Sequence, residues 1–94
     1  MTLPVAPADI VRLGRQHGAV DVRLFGSFAR GTADSDSDLD LLVRFQPGRS
    51  LLDLVGLKQD LEALASRRVD IVTEAALHPA LRERVLSEAV ALAP

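Results

Sequence analysis

Asp38 and Asp40 stand two residues apart in Ser37-Asp38-Leu39-Asp40-Leu41, where a polar stretch gives way to an apolar one. In an extended strand such residues leave the same face, about 6.5–7 Å apart at Cα. Two carboxylates at that spacing can share hard cations. Mg²⁺ takes oxygen ligands at about 2.0–2.1 Å and leaves other positions for water or phosphate oxygens. Asp70, inside Val69-Asp70-Ile71-Val72, is a third acid. Left unpaired in such an apolar stretch it would be costly, which favours a ligand role. If its strand pairs beside Asp38–Phe45, the three carboxylates converge at one end of a sheet. Two Mg²⁺ ions about 3.5–4 Å apart could there bind the attacking and leaving oxygens of a phosphoryl displacement.

Gly26-Ser27 supplies the complementary half. A glycine at a strand-to-helix turn lets the backbone approach a phosphate, and the Ser27 hydroxyl adds a donor. Taken alone, each piece has a plainer reading: Gly-Ser as a tight turn with a serine cap, and Asp-x-Asp as a solvated loop. Two other motifs fail on position. A calcium loop counted from Asp34 would need glycine at Leu39 and glutamate at Phe45. Gly26-x4-Gly31-Thr32 lacks the phosphate lysine of a P-loop. His17 and His78 have no partners at zinc-ligand spacing. Arg67-Arg68 reads as a solvated turn.

These residues need elements to position them. Ala8–His17 carries Ile10, Val11 and either Leu13 or Gly14 at helical spacing, with Gly18 as its stop. Ala19–Phe25 alternates and is β-branched, a strand. Phe28–Arg30 begins a short helix, Gly31–Ser37 is a polar loop, and Asp38–Phe45 is the second strand. Ser50-x-x-Asp53 matches a capping box, and the helix after it bears a stripe of Leu54, Leu57, Leu61 and Leu64. Gly56 lies within that helix with no local reason. Val69–Val72 is the third strand, and Pro79 opens a last helix. The tail Ala89–Leu92 either finishes that helix or adds a short strand. Apolar residues spread around the last helix and tail (Leu81, Val85, Leu86, Val90 and Leu92), so they form either a docking patch or part of the core. The order predicts an α/β (α+β) fold, a small mixed β-sheet with helices packed on it, in a single domain over residues 1–94.

Composition narrows the function. The chain has 94 residues, 48% of them hydrophobic and 26% charged, which excludes disorder. Cysteine is absent, which excludes disulfides, thiolate zinc and a cysteine nucleophile. No basic leader or membrane-length apolar run is present, so the sequence points to a cytoplasmic protein without membrane contact. Net charge is −2, and the aromatics are three Phe, so a long nucleic acid is not a direct ligand.

Gly26-Ser27, ten intervening residues, Asp38-x-Asp40 and a later strand aspartate, Asp70, occur together in one order. In this combination the chain resembles the DNA polymerase beta-like nucleotidyltransferases, most of all their minimal (MNT-type) members. The resemblance implies Mg²⁺-dependent transfer of a nucleoside monophosphate from a triphosphate such as ATP. Asp38 and Asp40 would be ligands of both metal ions. Asp70 would be the third carboxylate, a ligand and base for the incoming hydroxyl. Gly26 and Ser27 would cradle the triphosphate, while Arg30 is open between phosphate and a neighbouring acid. The resemblance also implies an antitoxin that adenylylates a hydroxyl, such as a tyrosine, on a cognate HEPN-family toxin. The alternatives are a binding antitoxin that acts by contact alone, and a small-molecule nucleotidyltransferase of the aminoglycoside type.

Overall fold

A computed structural model of the chain describes residues 3–92. Helix α1 (Pro7–Gln16) starts on a proline, whose missing N–H costs nothing in a first turn. Gly18, at φ +87°, then reverses the chain where a side chain would be strained. Strand β1 (Ala19–Phe25) and the four-residue helix α2 (Ser27–Arg30) lead through a loop to β2 (Leu39–Phe45). Helix α3 (Leu51–Ala65), β3 (Val69–Val72), a 3₁₀ turn (Glu74–Ala76), α4 (Pro79–Glu88) and β4 (Val90–Ala91) complete the order.

The four strands form one mixed sheet in the order β3-β2-β1-β4. β2 is antiparallel to β1 and parallel to β3, and β4 is antiparallel to β1. The expected small mixed sheet is therefore present, and the tail takes the strand alternative. Two expectations change at the level of residues. The second strand begins at Leu39, so Asp38 lies just before it. Simple alternation along β1 would put Ala19 and Val22 on opposite faces, yet both are buried. A register shift between Ala19 and Asp21 resolves this, because the bulge lets the chain skip Val20.

Helices α1 and α3 pack on each other and on one face of the sheet. That face receives Leu39, Leu41 and Val43 from β2 and Val69 and Ile71 from β3, all buried. Alternation therefore sends Asp40, Leu42 and Arg44 to the opposite face. Leu86 of α4 borders a hollow of about 280 Å³ with Asp21, Arg23, Leu42 and Arg44, which places α4 over that second face. Among the described residues, no helix is long and apolar enough to cross a membrane.

The capping box of α3 forms as expected: the Ser50 hydroxyl accepts from the Leu52 N–H, and the Asp53 carboxylate accepts from the Ser50 N–H. Its buried row is Leu57, Leu61 and Ala65, whereas Leu64 is 51% exposed. The row advances by fours and drifts around the helix, leaving Leu64 at its edge. α3 also protects an edge strand. Lys58 Nζ donates to the Val69 carbonyl at 2.9 Å, and Glu62 accepts from the Val69 N–H at 3.0 Å. These bonds occupy backbone groups of β3 that would otherwise offer a pairing edge. The apolar residues of α4 and the tail divide: Val85 is buried and Leu92 packs against the core, while Leu81 and Val90 are exposed. Ala93 and Pro94 lie outside the described residues.

Gly56 gains its reason from α1. A Cβ at Gly56 would lie 2.8 Å from Cε1 of His17, whose Nε2 is 2.7 Å from Asp60 Oδ2. The imidazole at the end of α1 thus rests on the bare turn of α3. In an exposed helix Gly→Ala gains about 1 kcal/mol; here Gly56→Ala is expected to give no gain in melting temperature. In a His17→Ala background the same change recovers about 0.5–1 kcal/mol. Equal stabilisation in both backgrounds would contradict the packing account.

Candidate active site

The parallel register of β2 and β3 sets Asp40 directly beside Asp70. Both project away from the core face, because their neighbours Leu39, Leu41, Val69 and Ile71 are buried in it. Asp38 joins them from just before β2. Arg68 Nε donates to Asp70 Oδ1 at 3.2 Å and lies 3.9 Å from Asp38 Oδ2, so one guanidinium spans both acids. The backbone reinforces this, since the Leu39 N–H donates to the Arg68 carbonyl at 3.0 Å. Lys58 Nζ also approaches Asp70, at 3.9 Å. The three sequence-predicted acids are thereby gathered at one end of β2 and β3.

Two premises are corrected. Asp70 is neither fully buried nor unpaired: its side chain is about one-third exposed and contacts Arg68 and Lys58. Burial cost alone therefore does not argue for a metal. The reading of Arg67-Arg68 as a solvated turn holds for Arg68, which is exposed in the link between α3 and β3, but not for Arg67. Arg68 serves the acids, and Arg67 is half-buried, its guanidinium 5.3 Å from the centre of the Phe28 ring. Arg67 Nη1 donates to the carbonyls of Asp34 at 3.3 Å and Ser37 at 3.0 Å, pinning the loop that delivers Asp38.

Asp40 has the most perturbed environment. Its pKa is raised from 3.8 to about 6, first by burial, then by the charges of Asp70 and Asp38. Arg30 opposes the rise and Glu88 adds to it. Gly26 makes the confinement possible. It has φ +75° and ψ −155°, and a Cβ there would run into the Asp40 carboxylate. Only glycine fits, for both conformation and space. Ser27 follows as the first residue of α2, and Arg30 closes that helix with Nη1 donating to Glu88 Oε1 at 2.7 Å. Of the two roles left open for Arg30, the structure shows the neighbouring acid.

Sequence reasoning missed Arg68, Arg67, Lys58 and Glu88. Arg68 was within reach, because the i, i+2 rule that joins Asp38 to Asp40 also joins Arg68 to Asp70. Glu88 sits 58 residues from Arg30 and carries no local signal. Among the described residues, no three acid or imidazole side chains converge tightly enough to hold an ion as they stand. The donor set nevertheless suits a hard cation. Carboxylate oxygens are the donors Mg²⁺ prefers, and the charges of Asp70 and Asp38 add to the rise that burial produces in the pKa of Asp40.

Comparison with known proteins gives the family. Residues 10–92 match the nucleotidyltransferase domain family. A protein of Methanocaldococcus jannaschii provisionally named a protein adenylyltransferase is 44% identical over 81 residues, which cover 86% of this chain and 87% of that one. The protein adenylyltransferase MntA of Thermococcus cleftensis is 41% identical over 78 residues, covering 83% and 79% of the two chains. A solved structure described provisionally as a minimal nucleotidyltransferase superposes with a TM-score of 0.81 at 57% identity, covering 89% and 86%. A toxin–antitoxin crystal structure with AMP-PNP shares the fold at a TM-score of 0.80 and 24% identity, covering 95% and 73%. The chain belongs to the nucleotidyltransferase domain family and is a nucleotidyltransferase. Its likeness within that family is to the minimal, MNT-type enzymes.

The raised pKa of Asp40 has a consequence for stability. The folded protein holds this proton more tightly than the unfolded chain. The contribution is therefore present below about pH 4 and is lost as pH rises through about 6. In metal-free buffer Asp40→Asn should remove that loss, raising stability at pH 7 by about 1 kcal/mol after allowance for partial solvation. For a domain of this size that is a rise of about 4–8 °C in melting temperature, with little difference near pH 4. A lower melting temperature at pH 7 would show that Asp40 is a structural group.

Proposed function

We propose that the chain transfers AMP from ATP to a hydroxyl group on a protein, with Mg²⁺ held by Asp38, Asp40 and Asp70. The observation that carries this reading is the pairing of Asp40 with Asp70 across parallel strands, with Asp38 on the same guanidinium as Asp70 and Gly26 against Asp40. Asp38 and Asp40 would ligate both ions and Asp70 one of them. Bound there, Mg²⁺ would neutralise charge developing on the phosphoryl oxygens. Gly26, Ser27 and Arg30 bind the triphosphate: the glycine allows close backbone approach, and Ser27 and Arg30 supply a hydroxyl and a guanidinium. Asp70 takes the proton of the acceptor hydroxyl as its oxygen forms a bond to the α-phosphorus. The bond from that phosphorus to the bridging oxygen breaks, and pyrophosphate leaves.

The acceptor is a tyrosine of a HEPN-type toxin, which the chain neutralises as its antitoxin. Two findings support a protein acceptor and the antitoxin role, while the tyrosine is what the resemblance of the motif implies. Relatives more than 40% identical carry the name protein adenylyltransferase, in one case provisionally. A structure sharing the fold is described as a tri-AMPylated HEPN toxin of Shewanella oneidensis in complex with an MNT antitoxin.

The test is incubation with labelled ATP and a cognate HEPN-type toxin, with Mg²⁺ or with chelator. Label should enter the toxin only with Mg²⁺, and a Tyr→Phe change at the modified position should remove it. Asp38→Asn and Asp40→Asn should each lower transfer at least about 100-fold while the protein stays folded. Asp70→Asn should reduce turnover far more than ATP affinity, because the triphosphate contacts remain. Full neutralisation of the toxin by the unreactive variants would instead establish inhibition by contact.

A further inference from the structure

β4 pairs with β1 at Leu24 and Val90, next to the turn at Gly26-Ser27. This pairing carries the end of α4 to the active site. Glu88, two residues before Val90, meets Arg30 there at 2.7 Å. The two partners differ in exposure: the Glu88 side chain is 17% exposed and that of Arg30 is 46% exposed. The acid is thus the shielded member and the guanidinium the solvent-facing one. A guanidinium has five N–H donors, and this ion pair engages Nη1, leaving others for phosphate oxygens.

Glu88 is otherwise badly placed. Its side chain is mostly shielded from solvent, at the same end of the sheet as three other acids. A fourth acid at this spot works against holding three carboxylates together. Its use lies in what it does to Arg30. A free arginine side chain samples many rotamers and loses that freedom on binding, whereas one already held in place loses less.

We infer that Glu88 is a positioning residue for nucleotide binding, holding the Arg30 guanidinium beside the Gly26-Ser27 turn to receive the triphosphate of ATP. The inference rests on the nucleotidyl-transfer reading above and adds the C-terminal segment to the site. It makes α4 and β4 part of the nucleotide-binding apparatus through one ion pair.

The experiment is a double-mutant cycle. A fluorescent, non-hydrolysable ATP analogue is titrated in Mg²⁺ buffer into the unaltered protein, E88Q, R30Q and the double variant, and kcat of E88Q is measured at saturating ATP. E88Q should weaken the analogue about three- to tenfold, the scale of one partly solvated charge contact, with kcat within about twofold of the original. R30Q should weaken it at least as much, and the double variant no further than R30Q, because Glu88 acts through Arg30. If E88Q is unfolded at the assay temperature, E88D carries the same cycle. Unchanged affinity in the Glu88 variant, or an equal further loss in the R30Q background, would overturn the inference. Failure of the unaltered protein to bind the analogue would overturn the nucleotide reading itself, and this inference with it.

Discussion

Like charges held close together in partly buried surroundings repel by about 1–4 kcal/mol per pair, and this chain sets three carboxylates at one end of two strands. The parallel register leaves no alternative. Once Leu39, Leu41, Val69 and Ile71 enter the core, Asp40 and Asp70 must emerge side by side on the opposite face. Much of the surrounding structure compensates that repulsion. Arg68 spans Asp38 and Asp70, Lys58 reaches Asp70 from α3, and the charge of Arg30 eases Asp40. The compensation is partial: beyond the effect of burial, the charges of Asp70 and Asp38 raise the pKa of Asp40 more than Arg30 lowers it. A site that keeps residual negative charge is disposed to take up cations, and a nucleotidyltransferase needs that disposition.

The same constraint fixes the turn after β1. Asp40 sits opposite Phe25 in the ladder, so its carboxylate lies against the residue that follows, Gly26. A side chain there would collide with the acid. The Gly26-Ser27 turn and the carboxylates are therefore built around each other. Arg67 secures the third side by binding two carbonyls of the loop before Asp38 and stacking over Phe28 of α2. Three segments distant in sequence are locked at one end of a four-stranded sheet.

Much of this was legible in the sequence because it is local. The alternation of Ala19–Phe25 and Val69–Val72, the capping box at Ser50 and the glycine stop at Gly18 each depend on neighbours a few residues away. The grouping of Asp38, Asp40 and Asp70 followed from one assumption, that their strands are adjacent, and they are. What escaped depends on contacts across the fold. The bulge at Val20 is set by pairing with β2, Gly56 is bare because His17 lies over it, and Glu88 reaches Arg30 only through β4. The cost assigned to an acid within Val69-Asp70-Ile71-Val72 was overstated for the same reason. Strand composition shows which residues flank Asp70, but not that Lys58 reaches it from α3.

Asp38, Asp40 and Asp70 are proposed to form a metal-binding centre next to the Gly26-Ser27 turn. Crystals grown with Mn²⁺ and a non-hydrolysable ATP analogue, with data collected at the manganese absorption edge, test it most directly. Two anomalous peaks ligated by Asp38 and Asp40 are expected, one of them also by Asp70, with the triphosphate against Gly26 and Ser27. Manganese bound at other side chains, or a triphosphate seated away from that turn, would contradict it.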